Sequence, residues 1–394
     1  MDFSPHDVSL KFRERYNINP LLVRAPGRIN LIGEHTDYNN GFVMPAAINF
    51  GTYFAMAPAD DGITEIFSLK YNEAFHVNLN DEIRPVKKPS WVNYLLGVIH
   101  QLKQQGTLKP FKCVFGGNIP IGSGLSSSAS VECGFAFALN ELNALNIDRQ
   151  KLVLMAQWSE HNFVGVKCGI MDQFASMMSK KGNVILLDCR SLEYSYSPLQ
   201  LLEYSLVLCD TKVKHALVDS DYNTRRQECE RGVARLQKHD PKIKSLRDVD
   251  EALLWKHQPE FEGKEFDRCL YVVQEIERVQ AANRDLKENN LKSFGARMFD
   301  THRGLSELYQ VSCKELDFFV SVAKQHPGVI GARMMGGGFG GCTINLVQKD
   351  VVATFVNALT ESYRSSFGIE AAIYRVALED GVNIISNKEL RSVL

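Results

Sequence analysis

Residues 117–130 read Gly-Asn-Ile-Pro-Ile-Gly-Ser-Gly-Leu-Ser-Ser-Ser-Ala-Ser. Pro120, Gly122 and Gly124 break any regular helix or strand there. Residues 111–115, just before, alternate as a strand does, and residues from about 127 to 142 carry apolar side chains at helical spacing. The stretch therefore predicts a strand, a glycine-rich loop, and a helix that opens on three consecutive serines. A helix start has unpaired N–H groups and a partial positive charge, and glycines let backbone approach a ligand closely. Two readings stand. One is an anion site, phosphate being the usual anion, with serine hydroxyls on phosphate oxygens or beside a Mg²⁺ bound to them. The other is a tight turn whose first serine is an ordinary N-cap. No lysine follows the last glycine, so the loop is not a Walker P-loop, and the chain lacks the H-R-D and D-F-G motifs of protein kinases.

Upstream, an apolar strand signal over residues 21–25 leads into residues 25–38, Ala-Pro-Gly-Arg-Ile-Asn-Leu-Ile-Gly-Glu-His-Thr-Asp-Tyr. Arg28, Glu34, His35 and Asp37 crowd there among Gly27, Gly33 and Gly41. Carboxylates accept from hydroxyls and a guanidinium donates to oxygens, so the cluster suits a small ligand with many hydroxyls. A solvated turn with local salt bridges has the same composition.

Residues 42–59, 64–71 and 74–79 read as sheet strands, and 91–104 as a helix. Trp91 opens that helix, either as a core or hinge aromatic or as a platform for a purine. Residues 149–163 and 170–179 read as helices flanking Gly165-Val-Lys-Cys-Gly169, with Glu160 and His161 ending the first. Asp172, in the first turn of the second, is a helix-start partner or, facing a cleft, a catalytic base. Residues 183–188 and 205–211 are buried-strand signals, and the Leu/Ser/Tyr-rich stretch with Pro198 between them suggests a crossover. A domain boundary is placed here, giving residues 1–204 and 205–394. Residues 219–238 read as a solvated helix with Tyr222, Arg225 and Arg226 close together, and 284–288 as a charged connector between helices. Five of the six residues 336–341 are glycine, which reads as a hairpin loop or as a loop lining a cleft near the first one.

A chain of 394 residues, 45% hydrophobic and 23% charged, has ample material for one large domain or two. The net charge of -1 gives no argument for nucleic acid or membrane binding. No apolar run approaches the roughly 20 residues needed to cross a bilayer, and residues 1–6 lack the features of a signal peptide. Nine scattered cysteines without a C-x-x-C pair argue against a disulfide framework and a structural zinc site, and point to reduced, buried thiols in a cytoplasmic protein.

Taken together, the three glycine-containing stretches resemble the GHMP kinase superfamily. Pro120-Ile-Gly-Ser-Gly-Leu-Ser-Ser-Ser-Ala-Ser130 is similar to its central motif, and Gly27-Arg-Ile-Asn-Leu-Ile-Gly-Glu-His-Thr-Asp-Tyr38 is similar to the galactokinase family's signature. Residues 168–174, Cys-Gly-Ile-Met-Asp-Gln-Phe, and the 336–341 loop also match, so the resemblance spans about residues 20–380.

The resemblance implies an α+β, two-domain fold of mixed sheets and packed helices with its active site in the interdomain cleft. It implies transfer of the γ-phosphoryl group of ATP to the C1 hydroxyl of α-D-galactose, with Mg²⁺ required. Carried over by motif, Asp172 would be the base, and Arg28 would hold it ionised and stabilise charge on the transferring group. Glu34, His35, Asp37, Tyr222 and the backbone at Gly169 would bind the sugar. Gly122, Ser123, Gly124, Leu125, Ser126, Ser127 and Ser128 would wrap the ATP phosphates, with Trp91 near adenine. Ser128 and Glu160 would be associated with the magnesium ion. Ser123 and Met335 depart from the commoner Ala or Gly and Thr of the family. Two other functions remain open: a related kinase acting on N-acetylgalactosamine or L-arabinose, and a catalytically silent sensor of galactose and ATP.

Overall fold

Strand β1 (Leu21–Asn30) carries an unusual Ala-Pro-Gly in its middle, and that tripeptide shapes the molecule around it. The computed structural model describes residues 2–120, 122–214 and 218–386. Proline cannot donate to a ladder, so the pairing of β1 with β3 (Pro45–Pro58) shifts register between Pro26 and Arg28. Two carbonyls beside the bulge are taken up by buried serines. Ser130 Oγ donates to Ala25 O and Ser176 Oγ donates to Pro26 O, each at 2.7 Å. Those serines lie on α3 (Ser127–Leu142) and α5 (Met171–Met178), so both helices are pinned against β1 beside Arg28.

The first sheet is mixed. Its order is β13-β1-β3-β6-β4-β5, with β4 (Thr64–Ser68), β5 (Glu73–Val77), β6 (Phe111–Gly117) and β13 (Asn383–Ile384). Only β4 and β6 run parallel. A buried core joins this sheet to α2 (Asn93–Lys103), α3, α4 (Arg149–Ser159) and α5, through Phe54, Phe111, Leu95, Phe135, Leu152 and Phe174 among others. A small sheet contains β2 (Phe42–Val43), β7 (Asn183–Asp188) and β8 (Tyr194–Pro198). Helix α1 (Pro5–Tyr16) covers the first sheet with Val8 and Phe12. It starts on a Ser4/Asp7 capping box with proline in its first turn.

The second sheet is antiparallel, ordered β10-β11-β9-β12, from β9 (Tyr204–Lys214), β10 (Val329–Met334), β11 (Gly340–Gln348) and β12 (Ala372–Val376). Helices α6 (Val218–Leu236), α7 (Glu251–Lys256), α8 (Glu265–Lys287), α9 (Leu291–Arg303), α10 (Lys314–Gln325) and α11 (Val352–Phe367) complete this half. One apolar cluster runs through both halves, from Ile29, Leu31 and Met44 to Val279, Phe294, Met335 and Cys342. The boundary at 204/205 stands as a proposal. It falls at the start of β9, and the chain crosses back when β13 pairs with β1.

Two expectations are corrected. The stretch read as a crossover contains β8, which pairs antiparallel with β7. Its alternating Tyr and Ser suit an edge strand, and Pro198 closes that strand. Residues 284–288 are not a connector, because α8 continues to Lys287 with Asp285 and Leu286 buried at helical spacing from Ala282.

Candidate active site

The loop after β6 docks on the backbone of β1. Arg28 N donates to Leu125 O at 3.1 Å, and a Cβ on Gly27 would meet that same oxygen at 2.7 Å, so only glycine fits there. Gly122 and Gly124 have φ of 72° and 75°, the left-handed region that favours glycine. Ser123 and Leu125 turn inward, Ser123 Oγ donating to Pro120 O at 2.7 Å and Leu125 joining the core. Ser126 occupies the N-cap position of α3 with φ 56°, yet its side chain caps nothing. Its hydroxyl donates to Asp172 instead. The ordinary N-cap reading therefore fails, and no side chain caps the start of α3.

Arg28 and Asp172 form a paired contact. Nε donates to Oδ1 at 2.7 Å and Nη2 to Oδ2 at 2.8 Å, while Nη1 donates to Gly124 O at 2.5 Å. The arginine is buried and the carboxylate only partly so. One guanidinium thus ties the base of α5 to the glycine loop.

Around this pair lies a cavity of about 160 Å³ lined by Arg28, Glu34, His35, Asp37, Glu160, Gly169, Asp172, Tyr222, Gly336 and Gly337, among others. It is smaller than the roughly 300–1,000 Å³ of drug-sized sites and suits one small molecule. Glu34 accepts from Asn30 Nδ2 at 2.8 Å, Gly336 N at 2.8 Å and Arg333 Nη1 at 3.1 Å. Asp37 abuts Gly169 so closely that a Cβ there would lie 1.8 Å from its Oδ2. Burial, with Asp172's charge next, pushes the Asp37 carboxyl up to about 7. His35 pairs its Nδ1 with Tyr38 OH at 2.8 Å, and its buried Nε2 has no partner. Burial brings its pKa down to about 3, so the ring is neutral. Tyr222 stands beside it, ring centres 5.4 Å apart.

A second cavity, of about 680 Å³, is lined by Trp91, Tyr71, Phe115, Pro120, Ser127, Ser128 and Lys212, among others. Trp91 stacks on Tyr71 and donates its indole N–H to Glu73 at 2.9 Å. It sits in a 3-10 turn just ahead of α2, with its ring facing this cavity's lining rather than filling the core. The two cavities meet at the start of α3. Ser128 belongs to the larger and hydrogen-bonds Glu160 of the smaller. Glu160 also accepts from Gln173 Nε2 at 2.6 Å, and burial plus Asp172's charge push it up to about 7. The C-terminal glycine loop is both things foreseen: it joins β10 to β11, and it backs the first loop, with a Cβ on Gly336 lying 3.4 Å from Gly124 O.

Several neighbours were not foreseen. Arg333 is fully buried and reaches Asn30 O, Leu31 O and Glu34, and Glu132 lies fully buried beside Gln173. The signal for each was a lone charge in an apolar run. Lys212 reaches the larger cavity from β9 and Tyr71 from the turn between β4 and β5, and neither leaves a local pattern.

Comparison with known proteins bears on these cavities. The galactokinase galactose-binding signature matches residues 10–58, the GHMP kinases N terminal domain residues 93–180, and the GHMP kinases C terminal domain residues 282–365. Galactokinase of Clostridium acetobutylicum is 42% identical over 92% of this chain and 94% of its own. That of Thermotoga maritima is 41% identical over 92% and 99%.

The chain belongs to the galactokinase family.

The crystal structure of Lactococcus lactis galactokinase complexed with galactose superposes with a TM-score of 0.91 at 34% identity, covering 96% of this chain and 98% of that one. Methanococcus jannaschii mevalonate kinase, at 17% identity and a TM-score of 0.65, shares the fold. The galactokinase signature segment contains Arg28, Glu34, His35 and Asp37, all of which line the smaller cavity. Among the described residues, no helix is long and apolar enough to cross a membrane.

Proposed function

We propose that this protein is an ATP-dependent galactokinase in which the smaller cavity holds α-D-galactose and the larger holds ATP. The observation that carries the assignment of roles is that the Arg28–Asp172 pair lines the smaller cavity while Asp172 accepts from Ser126, next to Ser127 and Ser128 of the larger one at the start of α3. In the reaction the C1 oxygen of the sugar attacks the γ-phosphorus. The bond from that phosphorus to the bridging β,γ oxygen breaks, and ADP leaves with the bond's electrons. The proton of the C1 hydroxyl passes to Asp172.

A guanidinium bonded through two nitrogens fixes the Asp172 carboxylate in place beside the smaller cavity, where its oxygens can accept a proton. Phosphoryl transfer relies chiefly on positioning and charge stabilisation, so a weak base suffices. Arg28 offers positive charge beside the transferring group. Glu34, Asp37 and His35 present acceptors to sugar hydroxyls, and Tyr222 closes that side. The backbone over residues 122–128 and the α3 start receive the phosphates, and Trp91 faces the base.

The residues fit a magnesium ion. Ser128 and Glu160 are adjacent hard oxygen donors, and burial with the Asp172 charge beside it pushes the Glu160 carboxyl up, a cost that a cation there would relieve. Bound there, Mg²⁺ would neutralise charge on the β- and γ-phosphate oxygens.

The test is ADP release from Mg²⁺-ATP with a panel of free sugars: galactose, glucose, N-acetylgalactosamine and L-arabinose. Release with galactose alone is expected. Release with another sugar in its place would move the substrate while keeping the chemistry. Binding of galactose and ATP without any release would favour the silent sensor, against which the intact Ser126-Ser127-Ser128 run and Asp172 already speak.

A further inference from the structure

On the C-terminal half, two imidazoles and a carboxylate converge at a place the reaction does not use. His239 lies in the turn that ends α6, where its N–H donates to Leu236 O at 3.0 Å. His257 caps the C-terminus of α7, and Glu260 sits one turn on, its N–H donating to His257 O at 3.0 Å. The backbone of each residue is thus fixed before any ligand arrives. His239 Nε2 stands 2.7 Å from one Glu260 oxygen, and His257 Nδ1 stands 2.8 Å from the other. The rings stack with centres 3.9 Å apart, so both nitrogens turn to the same side. The three donor atoms lie within 4.8 Å of one another.

We propose that His239, His257 and Glu260 form a zinc site that staples the end of α6 to the end of α7. Two imidazole nitrogens and one carboxylate oxygen are a ligand set zinc uses, with water in the fourth position. Tetrahedral zinc bonds of about 2.0–2.2 Å set donors about 3.3–3.5 Å apart, so the two nitrogen–carboxylate contacts would open slightly as the ion enters between them. His239 and Glu260 have side chains about 40% exposed, while the less exposed His257 anchors the site. Nitrogen ligands disfavour Mg²⁺, which separates this site from the oxygen donors Ser128 and Glu160. Cysteine spacing, which argues against a structural zinc site, does not bear on one without thiolates. The staple fixes the far end of α6, the helix that presents Tyr222 to the smaller cavity.

The test uses the full chain, stripped with chelator and titrated with Zn²⁺ against a chromophoric competitor in excess Mg²⁺. One equivalent is expected to bind, and zinc is expected to raise the melting temperature. His239→Ala should weaken binding by at least about tenfold and abolish the thermal shift. Glu260→Gln, nearly isosteric, should do the same and guards against a folding defect in the first variant. Absence of binding to the wild-type chain would overturn the proposal. So would undiminished binding in both variants, which would place the ion on thiols such as Cys168 or Cys313.

Discussion

The two cavities of this molecule are built by opposite means. The smaller is walled by charged and polar side chains that are buried and bonded to one another: Arg28 to Asp172, Glu34 to Arg333 and Gly336, Asp37 against Gly169. The larger is lined by the backbone and serines at the start of α3 together with the aromatic rings of Tyr71, Trp91 and Phe115. A small ligand with many hydroxyls can be recognised only by acceptors and donors in fixed places. A nucleotide can be held by a helix start, which suits any phosphate, and a flat ring, which suits any base. Side-chain changes should therefore damage the first cavity more than the second.

Four measurements would break or sharpen that contrast. The largest effect is expected from Asp172→Asn, which keeps the side chain's shape and removes the proton acceptor. Turnover should fall by ~10²–10⁴-fold, with galactose and ATP binding retained by calorimetry. Near-normal turnover would remove Asp172 from the chemistry.

Next comes Gly169→Ala. Its methyl would collide with the Asp37 carboxylate. Displacing a packed group costs about 1–3 kcal/mol, so KM for galactose should rise by roughly 10- to 100-fold while KM for ATP stays put. Equal loss for both substrates would mean that the cavities are not separate.

Trp91→Ala is expected to do the reverse and less: KM for ATP up by roughly 3- to 10-fold, the worth of one aromatic stack, with KM for galactose unmoved.

The smallest effect is a pH dependence of stability. An unfolded Asp37 ionises near 3.8, and the folded one near 7. Between those values the unfolded chain gives up the proton and the folded chain keeps it. Stability therefore falls as the pH rises through that window and is level above it. Asp37→Asn removes the term. Its melting temperature relative to wild type should rise from about pH 5 to about pH 8, and a constant difference would contradict the raised carboxyl.

The contrast also explains what could be read in advance. Arg28, Glu34, His35 and Asp37 lie within ten residues of one another, so a local motif announced the charged side of the smaller cavity. Gly122 and Gly124 announced an irregular loop between strand and helix, and both take backbone angles that favour glycine. Neither Arg333 nor Lys212 could be placed, since each arrives through sheet pairing from more than a hundred residues away. Secondary structure failed where local composition misled. The Tyr/Ser alternation of β8 resembled irregular chain because one side of an edge strand faces water. The charged run at residues 284–287 resembled a connector, although those residues are good helix formers with Leu286 packed beneath.

The apolar cluster that passes from Ile29 and Met44 to Phe294 and Cys342 has a consequence for how the chain folds. The two halves share this cluster although each also has apolar clusters of its own, and β13 must arrive before the edge at β1 is covered. Calorimetry should record a single cooperative transition rather than two. A ribosome that has made only the first 204 residues has made a sheet with an open edge and part of a shared interior, so the nascent half depends on its unmade partner and is at risk of aggregation until synthesis ends.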